Sequence, residues 1–224
     1  MLTFPQSTEF NKRIPKQKFY ENISVTPAMK HCFAEQIKTI YWANKIAPTT
    51  MNIAPGERVT EVEVFELRLS EPRLDEAVLK LIDREIPYHI LFILTCGGKA
   101  QAWIGYKEAA FGKGAFKVSR YYHTEWQSED ELHLTVEGLT ADDVYENFVR
   151  QIAVLQGEKW DEKSSAAENI AQNEAKARLA KQIAALESKM RKEKQLNRKM
   201  EMNAEIKKLR KEMEETQNGE KKYI

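Results

Sequence analysis

Between Gly157 and Gly219 the chain has neither glycine nor proline, and between Trp160 and Tyr223 it has no aromatic residue. That interval is rich in Ala, Glu, Lys and Arg, which favour helix but offer little to bury. It cannot enclose a core, so it predicts a long helical arm. The rest of the chain must hold the fold unaided. All seven prolines lie at or before Pro87, and all four tryptophans at or before Trp160. The expected organisation is a globular domain over 1–157 and a charged arm over 158–224. Charge divides in nearly the same place. The whole chain carries 35 basic and 34 acidic residues, a formal net of +1. Residues 161–222 hold 16 basic and 12 acidic residues, net +4, which leaves 19 and 22, net −3, for the remainder. A uniform polycation is excluded, but local basic patches are not.

Within 1–157 the hydrophobic periods are readable. Thr26-Pro27 is a helix start, because threonine accepts an orphan N–H and proline suits the first helical position. Met29, Phe33, Ile37 and Tyr41 then follow at steps of four. A second helix is expected after Ser70 and Pro72, with Leu74, Val78 and Ile82 on one face. A third begins at Thr140, where Asp143 completes a capping box and Leu139 can staple onto Val144. Its inward face is Val144, Phe148, Ile152 and Leu155. Glu61 to Leu69 alternates with a slip in parity, which a β-bulge near Val64-Phe65 would reconcile. Ile90 to Leu94 is apolar throughout and suits a central strand covered on both faces. Gly97-Gly98 is a hairpin turn into Ala100 to Lys107. Val118 to Trp126 and Leu132 to Val136 alternate cleanly. The order is helix, strand, helix, four strands, helix. The fold class is α+β: a mostly antiparallel sheet of four or more strands with packing helices, plus a long C-terminal helix able to form a coiled coil.

Two cysteines, Cys32 and Cys96, are too few for a disulfide framework or a four-ligand zinc site, and they suit small apolar positions in a reducing interior. Met1 to Phe10 shows no basic start followed by an apolar run, and the longest apolar run is far short of the ~20 residues of a membrane span. A cytoplasmic protein without a membrane partner is expected.

Three constellations could carry chemistry. The segment from Phe10 to Tyr20 interleaves Lys12, Arg13, Lys16 and Lys18 with aromatic rings, a pattern that can hold phosphates while rings stack on bases. Its plainer reading is a solvated lead-in whose rings pack on the sheet. Alternation from Lys117 to Trp126 puts Ser119, Tyr121, His123 and Glu125 on one side, so His123 could act as a base oriented by Glu125. The plainer reading is a wet sheet face. The third is a metal-dependent nuclease, with Glu61, Glu63 or Glu66 as strand acids holding Mg2+. Such sites pair the acid with a lysine two residues on, whereas Arg68 follows Glu66. Asp161-x-Lys163 and Glu187-x-Lys189 have the spacing but fall in the arm. His31, His89 and His133 show no metal-ligand spacing. Gly112-Lys113-Gly114 lacks both the earlier glycine and the Ser/Thr of a phosphate-binding loop.

In the arm, Leu179, Ile183, Leu186 and Met190 follow the 4-3-4 spacing of a coiled-coil seam about two heptads long. Continuing that register reaches Asn197 and Ala204 rather than Ile206, so the seam breaks. The stripe suits a partner helix or a second copy of the chain. The basic cluster Arg191, Lys192, Lys194, Arg198 and Lys199 is interrupted by Glu193, and a solvated face is its expected state.

Five strings occur together: Phe10-Asn11-Lys12-Arg13-Ile14-Pro15-Lys16, Lys45-Ile46-Ala47-Pro48-Thr49-Thr50, Val62-Glu63-Val64-Phe65, Ile82-Asp83-x-x-Ile86-Pro87 and Ala102-x-Ile104-x-Tyr106-Lys107. Over about residues 1–155 the chain resembles the bacterial and archaeal family known as domain of unknown function 4391. The resemblance implies genes typically encoded beside superfamily 2 helicases and DNA methyltransferases, in restriction-modification or phage-defence neighbourhoods. It carries no agreed catalytic residues. It adds Lys45 and Lys107 to Lys12, Arg13 and Lys16 as polar site candidates. The expected function is an accessory component of a DNA-processing system, binding DNA or a helicase or methyltransferase partner. The alternative is a degenerate metal-dependent nuclease on the same sheet, the only reading that needs Mg2+. A toxin-like or nucleotide-modifying enzyme using His123 and Tyr121 is a third.

Overall fold

The computed structural model describes residues 4–19, 26–109 and 116–217. Tyr20, the Gly112-Lys113-Gly114 turn and residues 218–224 lie outside them. The chain divides into two compact units, Met1–Glu158 and Lys159–Ile224.

The first unit is built on strands β1 (Glu9–Ile14), β2 (Ile37–Ile46), β3 (Val62–Leu69), β4 (His89–Cys96), β5 (Lys99–Ala109), β6 (Phe116–His123) and β7 (Gln127–Ser128). The sheet runs β1-β2-β3-β4-β5-β6, with the short β7 also paired to β5. Its helices are α1 (Pro27–Gln36), α2 (Glu76–Glu85) and α3 (Ala141–Leu155). All pairings are antiparallel except β3–β4, which α2 connects as a crossover. The expected mostly antiparallel α+β sheet is therefore present.

Local chemistry sets the boundaries. Thr26 caps α1 by accepting the Met29 N–H at 3.3 Å, and Asp75 caps α2. Thr140 and Asp143 form the capping box of α3. Gly97 and Gly98 both adopt positive φ, +58° and +78°, as a tight β4–β5 turn requires. β4 is buried along its first six residues and is the central strand. Phe33, Val78, Leu79 and Ile82 cover the face of the sheet that carries Phe65, Leu67, Phe92 and Leu94. Alternation puts Val62, Val64, Leu91, Ile93, Ala102 and Ile104 on the other face, against which α3 lies.

Several expectations are corrected. The four-step stripe does not stay helical: α1 stops at Gln36, and Ile37 and Tyr41 belong to β2. β1 and β2 add two strands that the hydrophobic pattern does not announce. The bulge opposite Val64-Phe65 exists, but its extra residue is Ala43 of β2, while β3 keeps an unbroken register with β4. Leu132 to Val136 forms no strand, although Leu132 and Leu134 are buried. Leu139 is 83% exposed, so no staple forms, and Leu155 is half exposed at the end of α3.

The second unit contains α4 (Ala166–Lys192) and α5 (Leu196–Gln217), the long C-terminal helix. The Gly- and Pro-free arm is thus not one rod. It folds back at residues 193–195, in the interval where the seam register fails, and the two helices pack as a hairpin. Leu179, Ile183 and Ile206 are buried, Leu186 and Met190 half-buried, and Arg210 of α5 pairs with Glu187 of α4 at 2.8 Å. Asn169 ties the lead-in to α4: its carbonyl oxygen accepts the Asp161 N–H, and its amide donates to the Asp161, Ser164 and Ser165 carbonyls.

Candidate functional site

Two acid–base constellations lie on the α1/α2 side of the sheet. The first stands between α2 and β5–β6. Lys107 Nζ is 2.9 Å from Asp83 Oδ1, and both side chains are 1% exposed. The same ammonium donates to the carbonyls of Asp83, Ile86 and Tyr88. Tyr121 donates its hydroxyl to the other Asp83 oxygen. Burial pushes the Asp83 carboxyl up and the Lys107 ammonium down, and each is opposed by the charge of the other. A β-bulge builds this arrangement. β6 carries an extra residue, Ser119, opposite Tyr106/Lys107, so Val118 and Tyr121 share one face. The Lys107 N–H released from the ladder donates to the Tyr145 hydroxyl of α3 at 2.9 Å, and that hydroxyl donates to the Gly105 carbonyl at 2.6 Å. On the α3 side His89 packs edge-on to Tyr145, with ring centroids 4.4 Å apart. Burial, assisted by Lys107, pushes its imidazole down to about 3.

The second constellation stands where β2 ends and β3 begins. Lys45 pairs with Glu61 at 2.7 Å. Glu63, on the strand beside Lys45, is 1% exposed. The Trp42 indole donates to its Oε2, while its buried Oε1 has no donor. Burial first, and Glu61 next, push the Glu63 carboxyl up to about 8. Ionising Glu63 would set a second carboxylate beside Glu61 in a buried place, which is the cost that raises it. The loop before β3 is held by Asp142 of α3, whose carboxylate accepts the N–H groups of Glu57, Arg58 and Val59. Gly56 is required there, since a Cβ would lie 2.5 Å from Asp142 Oδ1.

The remaining candidates are dispersed. Glu66 lies on the opposite sheet face from Glu63, bonded to Arg68 at 2.7 Å and near Thr95. It lines a cavity of about 490 Å3 together with Asn44, Arg68, Thr95 and Glu129. The three strand acids therefore do not converge. Among the described residues no group of three or more His, Cys, Asp or Glu side chains is arranged to hold a metal ion. His123 is the last residue of β6; it stacks on Trp103 at 4.3 Å, and its Nδ1 lies 3.0 Å from the Thr124 carbonyl rather than on Glu125. Tyr121 is buried, while Ser119 and His123 are half-buried and Glu125 is exposed, so the expected wet face is interrupted at Tyr121.

The basic candidates separate into committed and accessible groups. Lys107 is sealed by Asp83 and has no surface from which to meet a phosphate, which corrects its place among the nucleic-acid candidates. Lys16 donates to the Ala34 and Ile37 carbonyls at the end of α1, at 3.2 and 2.6 Å. Lys45 is held by Glu61. Lys12, Arg13 and Lys18 remain exposed, with the Lys12 ammonium 4.4 Å from the centre of the Phe10 ring. Asp83 and Trp42, central to the two constellations, were not among the sequence candidates. The available signal was an acid set beside Val78, Leu79 and Ile82 on the apolar side of α2, a place a carboxylate occupies only with a partner.

No helix among the described residues is long and apolar enough to cross a membrane. No curated protein and no solved structure matches the chain. A family model does match, over residues 2–213, and the chain belongs to the family it describes, the domain of unknown function DUF4391.

Proposed function

We propose that the protein is an accessory component of a DNA-processing system, of the restriction-modification or phage-defence kind, that binds DNA alongside a helicase or methyltransferase partner. The observation that carries this reading is the sorting of the six basic candidates of the first unit. Lys107, Lys16 and Lys45 are spent on internal partners, while Lys12 and Arg13 stay exposed on edge strand β1, and Lys18 on the turn after it. Accessible cations beside an aromatic ring suit a phosphate backbone. The neighbourhood that the family resemblance implies supplies the DNA context. The test is the affinity of the full chain for a labelled duplex across a salt series. Charge reversal at Lys12, Arg13 and Lys18 is expected to weaken binding and flatten its salt dependence; unchanged affinity sinks this patch as the contact.

The degenerate nuclease remains as a second reading on one observation, the approach of Lys45 on β2 to Glu61, just before β3, and to Glu63 on it. A divalent cation there would have to displace the Lys45 ammonium and the Glu63 proton. Mg2+- or Mn2+-dependent cleavage of DNA, lost in Glu61→Gln and Glu63→Gln, would establish it.

A further inference from the structure

The fold-back of the arm converts a dispersed charge pattern into a pole. Lys189 to Met200 holds six basic residues and one acid, Glu193. On a continuous helix these would spread over some eighteen ångströms at 1.5 Å per residue. In the hairpin they close around the turn between Lys192 and Leu196.

Glu193, which interrupts the cluster in sequence, is occupied in closing that turn. Its backbone is extended, with φ −71° and ψ 140°. Its Oε1 accepts the N–H groups of Lys194 at 2.7 Å and Gln195 at 2.9 Å, the two residues that lead into α5. Arg198 Nη1 stands 3.8 Å from its other oxygen. Those bonds hold the carboxyl below the usual glutamate range. Lys189, Arg191, Lys192 and Lys194 surround it, all exposed. Leu196 and Met200, one turn apart on α5, are 71% and 64% exposed.

A cationic tip with two exposed apolar side chains could in principle face an anionic membrane or a nucleic acid. The absence of any aromatic residue between Trp160 and Tyr223 argues against the membrane, where interfacial helices rely on Trp, Phe and Leu. Two helices packed ~8–10 Å apart are also too broad together for a major groove about 12 Å wide. Contact is then with phosphates and not base edges, so it does not depend on sequence.

We propose that the tip of the α4–α5 hairpin is a binding head for a nucleic-acid backbone, seated by Lys189, Arg191, Lys192, Lys194 and Arg198 around the turn that Glu193 closes. This rests on the reading of the protein as a DNA binder and gives that function a second, separable contact. Five phosphate contacts predict a slope of log K against log salt near −4.5, at about −0.9 per contact.

The test uses the full chain and a labelled 30-base-pair duplex. Lys189→Gln/Lys192→Gln/Lys194→Gln alters exposed helix-end positions and leaves Glu193 in place. Lys207→Gln/Lys208→Gln/Lys211→Gln removes equal charge from the body of α5. The tip variant should lose at least about tenfold in affinity and close to 3 in slope, with unchanged far-UV dichroism. The body variant should stay within twofold. Equal losses in both variants would show a general charge effect and overturn the proposal. Wild-type binding that the tip variant keeps would overturn the tip while leaving DNA binding intact. No duplex binding by the wild type at low salt would remove the underlying reading itself. Retention on vesicles of phosphatidylserine and phosphatidylcholine, with no duplex binding, would assign the tip to membranes instead.

Discussion

Lysine and arginine do different work in the two units. In the sheet unit a few cations are structural members, although most of the described ones, Lys12, Arg13 and Lys99 among them, are exposed. Lys107 is locked to Asp83, Lys45 to Glu61, Lys16 to two carbonyls, and Arg120 to Glu158. In the hairpin unit none of the described cations is buried, and a pair such as Arg210–Glu187 joins an exposed arginine to a half-buried partner. The difference follows from what surrounds them. A charge beneath a helix-covered sheet must be neutralised nearby, whereas one on a thin hairpin is solvated whatever it touches. Net charge says nothing of this: −3 and +4 describe totals, not availability.

The largest expected effect tests the committed class. Lys107→Met strands the buried Asp83 carboxyl, and urea unfolding of the sheet unit should show a loss of about 3–5 kcal/mol. Adding Asp83→Leu should restore most of it, because an apolar pair no longer has a charge to satisfy; failure to recover would mean the ions do more than neutralise each other. Next is Glu63. Its carboxyl is raised from 4.5 to about 8, so its contribution is complete below about 4.5 and is lost as pH rises toward 8. Stability of the wild type should therefore fall across that window, by up to about 1.4 kcal/mol per pH unit. Glu63→Gln should flatten this slope in pH-dependent urea midpoints. A smaller effect, about 1 kcal/mol, is expected for Lys16→Met, which gives up charge-assisted bonds at the partly solvated end of α1. Least of all, Arg210→Ala in the hairpin should cost about 0–0.5 kcal/mol in helix melting. A loss as large as that of Lys107 would erase the contrast between the units.

Those parts of the fold governed by neighbours in sequence were legible. Thr26, Thr140 with Asp143, and Gly97-Gly98 mark element ends because caps and tight turns are satisfied within three or four residues. The apolar run at Ile90 marks the central strand for the same local reason. β2 was not legible, since Phe33, Ile37 and Tyr41 keep a helical step across a helix–strand boundary that only pairing with β3 decides. The bulges at Ala43 and Ser119 were misplaced or missed because parity alone does not say which strand holds the extra residue. The site suffered most. Lys107 and Asp83 are 24 residues apart on different elements, and an exposed and a sealed lysine look alike in a string. The hairpin turn was half legible: the seam register broke in the right interval, but without glycine or proline nothing marked the residue where Glu193 closes it.

The edge strand β1 has a consequence for how the protein behaves in a crowded solution. Among the described residues no strand pairs with one side of its backbone, and such an edge invites strands from other molecules to add. Asn11 sits there in the left-handed region at φ 46°, where the register with β2 shifts, and Lys12 and Arg13 follow at once. A kink and two like charges make a poor template for a growing sheet. Stripping those charges to test DNA binding should therefore also make the protein prone to aggregate, and light scattering on the same variants will register it.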